Sequence, residues 1–332
     1  MLEYLPMAPF ALPTLAELDA TSELVHQHVA PTPQLRWPQL CRALGTDVWL
    51  KHENHTPIGA FKVRGGLAYA DDLMRRDPGC RGLVSATRGN HGQSIGFAAR
   101  LHGLRAVIYV PHGNSREKNE AMRALGVELI EWGDDFQAAR ERAEAAAADE
   151  GLHFVPTFHP ALVRGVATYW LEFFRAVGDL DVVFVPIGQG SGITGCIAAR
   201  AALSRTHPRI VGVVSAQAPC YARSLREGRP VEAPVTTTLA DGLACRVPDP
   251  AALELISAHV DEVVEVTDEE VAAAMRLLFQ TTHNAAEGAG AAATAAAWRA
   301  RASLNGRRVG LALSGGNVDS DVFARVLAGA PA

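Results

Sequence analysis

A lysine set between an aromatic residue and a pair of glycines is the position in this chain with the clearest chemical potential. Lys62 stands in the stretch HENHTPIGAFKVRGG, behind Ala60 and Phe61 and ahead of Val63, Arg64, Gly65 and Gly66. The spacing predicts a helix that begins near Lys62, beside glycines that let another group approach the backbone. Burial and the neighbouring cation Arg64 would both disfavour the ammonium form. The neutral amine is a nucleophile toward carbonyl carbon and can form a Schiff base. A lysine stem lying along an amphipathic helix with its amine in water is the structural alternative.

Three glycine-containing loops share the same character. Gly188, Gln189, Gly190, Ser191 and Gly192 follow the apolar run Val182 to Pro186 and open a helical pattern. That arrangement presents several backbone N–H groups to an anion, with phosphate the natural guest. Gly190, Gly192 and Gly195 also satisfy a dinucleotide fingerprint, which needs an acidic residue after the next strand. The chain has Ser215, Ala216 and Gln217 there. In the second loop, Ser85 to Gln93 gathers hydroxyl, guanidinium, amide and imidazole donors between a strand and a helix, a composition suited to a carboxylate. A well-capped turn is the simpler reading of its glycines and asparagine. The third loop, Ser314 to Asn317, follows the last apolar strand, where ligand crevices of α/β sheets open; Ser314 could bond a ring nitrogen there, and an ordinary glycine turn is the equal alternative. Asp241, in Thr238 to Ala244, reads best as a structural Asx-turn.

The elements that must hold these loops alternate along the chain. Helices are expected over 14–29, with Thr14 as N-cap, and over 93–101, 115–125 and 136–149. Others are expected from about Gly165 and over 193–203, 268–280 and 288–299. Strands are expected over 47–51, 82–86, 106–110, 128–131, 182–186, 210–215, 263–266 and 309–313. This is the rhythm of βαβ units, which require parallel sheets covered by helices. The fold class is therefore α/β in two lobes. The alanine-rich run 285–302 predicts a closely packed helix, since alanine has the highest helix propensity and the smallest packing radius.

Composition narrows the partners. At 332 residues the chain exceeds one small domain, and 48% hydrophobic residues with a net charge of -5 describe an ordinary globular protein. Charge of both signs is spread along it, so neither nucleic acid nor a membrane surface is indicated. Five cysteines without a CxxC pair suggest neither a disulfide framework nor a zinc site, and a reducing cytoplasm is expected. Pro6, Pro9 and Pro13 break the apolar start, which also lacks the basic flank of a signal peptide. No run approaches the roughly 18 apolar residues of a membrane span.

In order and spacing these motifs resemble the fold-type II pyridoxal-phosphate enzymes, and within them the serine/threonine dehydratase branch, over roughly Pro31 to Val326. The resemblance implies a two-domain fold like that of tryptophan synthase β, each domain a mostly parallel sheet flanked by helices. It places a large cofactor-binding domain at 1–80 plus 160–332 and a small mobile domain at 81–159. The cofactor implied is pyridoxal 5'-phosphate. Lys62 would carry it as a Schiff base and serve as the catalytic residue, and Phe61 would pack on its ring. Asn90 would bond the ring hydroxyl, Gly188, Gln189, Gly190, Ser191 and Gly192 the phosphate, and Ser314 the pyridine nitrogen. Ser85, Thr87, Arg88, Gly89, Asn90 and His91 would receive the substrate. The implied activity is an ammonia-lyase that turns a 3-hydroxy amino acid, L-threonine or L-serine by default, into a 2-oxo acid and ammonia. A small amino acid and a homodimer partner are the expected associations.

This chain departs from the family pattern at informative places. Arg88 replaces the small hydroxylic residue that serves racemising relatives as an acid, which argues against racemisation. It has three candidate uses: gripping the α-carboxylate, recognising a second carboxylate, or pairing outward with a protein acid. Gln217 and Arg223 stand where cation-dependent relatives carry acids, so no metal is expected. The chain stops about fifteen residues after Asn317, leaving no expected room for a C-terminal regulatory domain. Alternatives within the fold are a dehydratase for a bulkier substrate such as phenylserine or an acidic one such as 3-hydroxyaspartate, and a β-replacement synthase. Outside it stand a nicotinamide-dependent oxidoreductase and a non-enzymatic anion-binding module.

Overall fold

Residues 10–329 are described by the computed structural model, so the start bearing Pro6 and Pro9 lies outside the described residues. Along the chain come α1 (Leu15–His26), β1 (Gln34–Leu35), α2 (Pro38–Leu44), β2 (Asp47–His52), α3 (Lys62–Arg76), β3 (Gly82–Ala86), α4 (Asn90–Leu101) and β4 (Arg105–Val110). Then follow α5 (Arg116–Ala124), β5 (Glu128–Glu131), α6 (Phe136–Glu150), β6 (His153–Phe154), α7 (Pro160–Ala176), β7 (Val182–Pro186), α8 (Ser191–Ala202) and β8 (Arg209–Ser215). The last elements are α9 (Cys220–Glu227), α10 (Pro250–His259), β9 (Glu262–Val266), α11 (Asp268–Thr282), α12 (Gly288–Ala300), β10 (Arg308–Leu313) and α13 (Ser320–Leu327).

Two sheets result. One has the order β5-β4-β3-β6 and is parallel throughout, and all its strands lie between residues 82 and 154. The other runs β1-β2-β10-β7-β8-β9 and is parallel except for the β1–β2 pair at its edge. The expected mostly parallel α/β architecture is therefore present. Parallel strands leave a sheet at the same end, so the loops after β2, β10, β7 and β3 are where ligand crevices form.

Local chemistry sets most boundaries. Thr14 caps α1 through a full capping box with Glu17, as Thr267 does for α11 with Glu270. Helix α7 begins five residues before the expected Gly165, because His159 caps it and Pro160 sits in its first turn. Four helices, α2, α9, α10 and α13, lie outside the expected elements. The start of α10 carried a readable signal, since Asp249 caps it ahead of Pro250.

The alanine-rich α12 packs as expected, with every residue from Gly288 to Ala297 buried. A Cβ on Gly290 would lie 2.2 Å from the Gly315 carbonyl oxygen, so only glycine permits this helix to reach the loop after β10. Beneath α7 lies an ion cluster. Arg64 bonds Glu53 at 2.8 Å and Glu172 at 2.5 Å, and Lys51 reaches Glu172 at 2.6 Å. Lys51, Glu53 and Arg64 are fully buried, so each charge depends on its partners for the solvation that water would give.

Candidate active site

Lys62 opens α3 as expected, and its Nζ lies 3.1 Å from the Ser191 hydroxyl at the start of α8. The amine sits 5.0 Å from the centre of the Phe61 ring, which meets Tyr169 edge to face. Burial pushes the Lys62 ammonium down to about 8, although Glu287 pulls the other way. The expected help from Arg64 is absent, because its guanidinium turns to Glu53 and Glu172. Nor do Gly65 and Gly66 open space for a ligand. A Cβ on Gly66 would strike Ser94 Oγ at 2.1 Å, and one on Gly65 would meet the Leu162 carbonyl oxygen at 3.0 Å, so these glycines serve helix packing.

One cavity collects the loops. It is lined by Phe61 and Lys62, by Thr87, Arg88, Gly89, Asn90 and His91, by Gly188 to Gly192, and by Ser314. Of the sequence-derived site residues, Ser85 alone does not line it. Its side chain is buried and donates to the Val155 carbonyl at 2.7 Å, which engages the hydroxyl expected to meet substrate.

Each loop has distinct donors. Helix α8 starts at Gly190 with no side-chain cap, leaving the N–H groups of its first turn to a ligand. Tyr221 steadies the loop by donating to the Gln189 carbonyl at 3.2 Å, and Trp170 by donating to that of Gly192 at 3.1 Å. Helix α4 also starts uncapped, at Gly89, whose φ of 155° few other residues adopt. The Gly89 N–H donates to the Thr87 hydroxyl at 2.9 Å. His91 is buried, and burial together with Lys62 drives its imidazolium down to about 3, so the ring is neutral. Its Nε2 has no protein partner among the described residues.

A charged cluster that the sequence reading missed closes one side. Lys118, near the start of α5, pairs with Asp241 at 2.7 Å and Glu287 at 3.1 Å. Glu287 accepts from the Asn90 amide at 2.6 Å, and Asn317 donates to the Asn90 oxygen at 2.8 Å. Burial lifts the Glu287 carboxyl above its ordinary value against the pull of Lys118. Asp241 is thus no simple Asx-turn, since its carboxylate holds a lysine on the cavity wall. Phe136, Thr157 and Tyr169 are further lining residues that the sequence did not single out. Among the described residues no three His, Cys, Asp or Glu side chains gather as a metal site.

A buried amine of lowered pKa beside an uncapped glycine loop is a place for an aldehyde that also carries a phosphate. The sequence profile "Pyridoxal-phosphate dependent enzyme" matches residues 25–315. The chain belongs to this family of pyridoxal-phosphate-dependent enzymes. The L-threonine ammonia-lyase of Geobacter sulfurreducens is 36% identical over 302 residues, 90% of this chain and 71% of that one. The L-threo-3-hydroxyaspartate ammonia-lyase of Saccharomyces cerevisiae is 29% identical over 319 residues, 96% of this chain and 97% of that one. Among solved structures, the processed threonine deaminase isoform 2 of Solanum lycopersicum superposes with a TM-score of 0.87 at 27% identity, covering 98% of this chain and 94% of that one. The enzyme is accordingly a pyridoxal-phosphate-dependent lyase of the ammonia-lyase branch, and the nicotinamide and anion-module alternatives fall away. The residues fit the cofactor: Lys62 offers a nucleophilic amine and the α8 turn an anion cradle. Among the described residues no protein group bonds the Ser314 hydroxyl, which is left to serve a ligand. Among the described residues no helix is long and apolar enough to cross a membrane.

Proposed function

We propose that this lyase removes water and then ammonia from a 3-hydroxy amino acid, with L-threonine or L-serine as its substrate. The observation that carries the reading is the Lys62 amine, lowered to about 8 and 3.1 Å from Ser191, facing the uncapped starts of both α4 and α8. When bound, pyridoxal phosphate supplies the carbonyl that captures the amino group and the conjugated ring that drains charge from Cα. Gly188 to Gly192 would hold its phosphate, Phe61 would pack on the ring, and Asn90 would face the ring hydroxyl. Ser314 would face the pyridine nitrogen. A hydroxyl there leaves that nitrogen less charged than a carboxylate would, which disfavours a long-lived carbanion and favours elimination.

Lys62 Nζ takes the Cα proton and, once protonated, donates to the departing β-hydroxyl. Ser191 orients that nitrogen. Thr87 and the first-turn N–H groups of α4 receive the α-carboxylate, and the neutral His91 ring lines the same wall without adding charge. Phe136, Thr157 and Tyr169 line the same cavity and exclude water. The chain would act as a cytoplasmic homodimer, with 81–159 closing as a small mobile domain on a large one formed by 1–80 and 160–332. The yeast relative named for 3-hydroxyaspartate keeps an acidic substrate in view as a second reading.

The experiment is a panel of hydroxy amino acids offered to the holoenzyme, with 2-oxo acid and ammonia measured. Stoichiometric release of both from threonine or serine is expected. Release from none of the panel would end the reading.

A further inference from the structure

Arg88 is an unneutralised cation on the wall of this cavity. It is half-buried, and among the described residues no side chain or carbonyl bonds or pairs with its guanidinium. The other lysine of the wall is different: Lys118 already has Asp241 and Glu287. Pairing outward with a protein acid, one of the three uses expected of Arg88, therefore has no partner.

The α-carboxylate of a substrate already has a receptor. The uncapped start of α4 offers several N–H groups, the helix dipole favours an anion there, and the Thr87 hydroxyl has a proton to give. One monoanion is satisfied by that set. A guanidinium at the same wall then remains uncompensated, and partly burying it without an anion is costly. Its planar fork matches the two oxygens of a carboxylate, with the cofactor phosphate already assigned to the α8 turn.

We infer that Arg88 receives a second carboxylate, on the β-carbon of the substrate, so that 3-hydroxyaspartate is preferred over threonine and serine. This rests on the ammonia-lyase reading. The chemistry balances without a further reactant: the Cα–H and Cβ–O bonds break and water leaves. Hydrolysis of the resulting enamine returns that water, releasing ammonia and the four-carbon 2-oxo diacid.

L-Aspartate and L-alanine, which lack the β-hydroxyl and cannot lose it, separate binding from turnover. Their dissociation constants are read from the absorbance change of the holoenzyme, for wild type, Arg88→Ala and Arg88→Lys. We expect aspartate to bind wild type on the order of 10- to 100-fold more tightly than alanine. Arg88→Ala should erase that preference, and Arg88→Lys should keep part of it. The ratio of kcat/KM for 3-hydroxyaspartate over threonine should fall with it. Equal affinity of wild type for the two amino acids would overturn the inference. So would an equal loss for both in Arg88→Ala, which would give Arg88 the shared α-carboxylate. Absence of 2-oxo acid from every substrate would sink the ammonia-lyase reading instead, and the binding ratio would still judge Arg88.

Discussion

Lys118 and Asp241 form an ion pair of 2.7 Å across the cavity, joining the helix that follows β4 of the four-stranded sheet to a loop on the six-stranded side. Glu287, at 3.1 Å, extends the pair to Asn90. The same flank is stitched by the Arg116 N–H donating to Asp319 and by Ser320 donating to Glu117. Lys118 therefore ties both sides of the cavity to the residue expected to face the cofactor ring.

Replacing Lys118 with methionine removes the cation and leaves two carboxylates side by side. Stability should fall by about 3–5 kcal/mol, the usual cost of breaking a buried pair from one end. Pairing it with Asp241→Asn in a double-mutant cycle should recover part of that loss. Urea unfolding of the four proteins measures the coupling, and strictly additive losses would refute the arrangement.

The lowered pKa of Lys62 predicts how the apoenzyme takes up pyridoxal phosphate. Only the neutral amine attacks the aldehyde, and its fraction grows as pH rises through about 8. The uptake rate, followed by absorbance, should rise with a midpoint near pH 8 rather than near the 10.5 of a free lysine. Lys62→Ala should keep its fold, lose turnover, and give no product fixed by borohydride. A midpoint beyond pH 10 would mean that the amine is solvated in the protein.

Glu172 predicts the acid limb of stability. Burial raises its pKa, but Arg64, Lys51 and His26 outweigh that and hold it at about 2, below the ordinary 4.5. A depressed carboxylate contributes stability that is present above about pH 4.5 and lost as pH falls toward 2. Glu172→Gln leaves Lys51 and Arg64 with Glu53 alone and should cost about 3–5 kcal/mol at pH 7. The gap to wild type should narrow near pH 3. Denaturant unfolding at the two pH values checks this, and a gap that widens in acid would contradict it.

Chelation should leave activity unchanged within assay error. The sequence leads one to expect cation-binding acids near the end of β8, where Gln217 and Arg223 stand instead, and Gln217 turns its amide toward Ser215, 3.4 Å away. Hard cations seek charged oxygen ligands. A loss on EDTA treatment that magnesium restores would place a cation site elsewhere in the chain.

Much of this molecule was legible because its signals are local. The Gly188 to Gly192 loop, the Thr14 capping box and the start of α3 at Lys62 each depend on residues within a few positions of one another. Apolar runs of strand length, separated by helical ones, were enough to specify two parallel sheets, because few other arrangements cover both faces of buried strands. Ser85 shows the limit of that pattern. In β3 all five residues are buried, so alternation could not tell which side chain turns inward and which reaches the cavity.

The charged network needed the folded chain. Lys118 meets Asp241 across a sequence separation of 123, Asn90 meets Glu287 across 197, and Arg64 meets Glu172 across 108. Sequence reading gave Arg64 to Lys62 because they are neighbours in the chain, whereas α3 turns it toward α7. It also left three uses open for Arg88, and only the surroundings of its guanidinium removed one. Coulombic and hydrogen-bond energies depend on distance and dielectric. Both are properties of the packed structure, so chain spacing can propose a reactive residue while tertiary contacts decide which charges around it are neutralised.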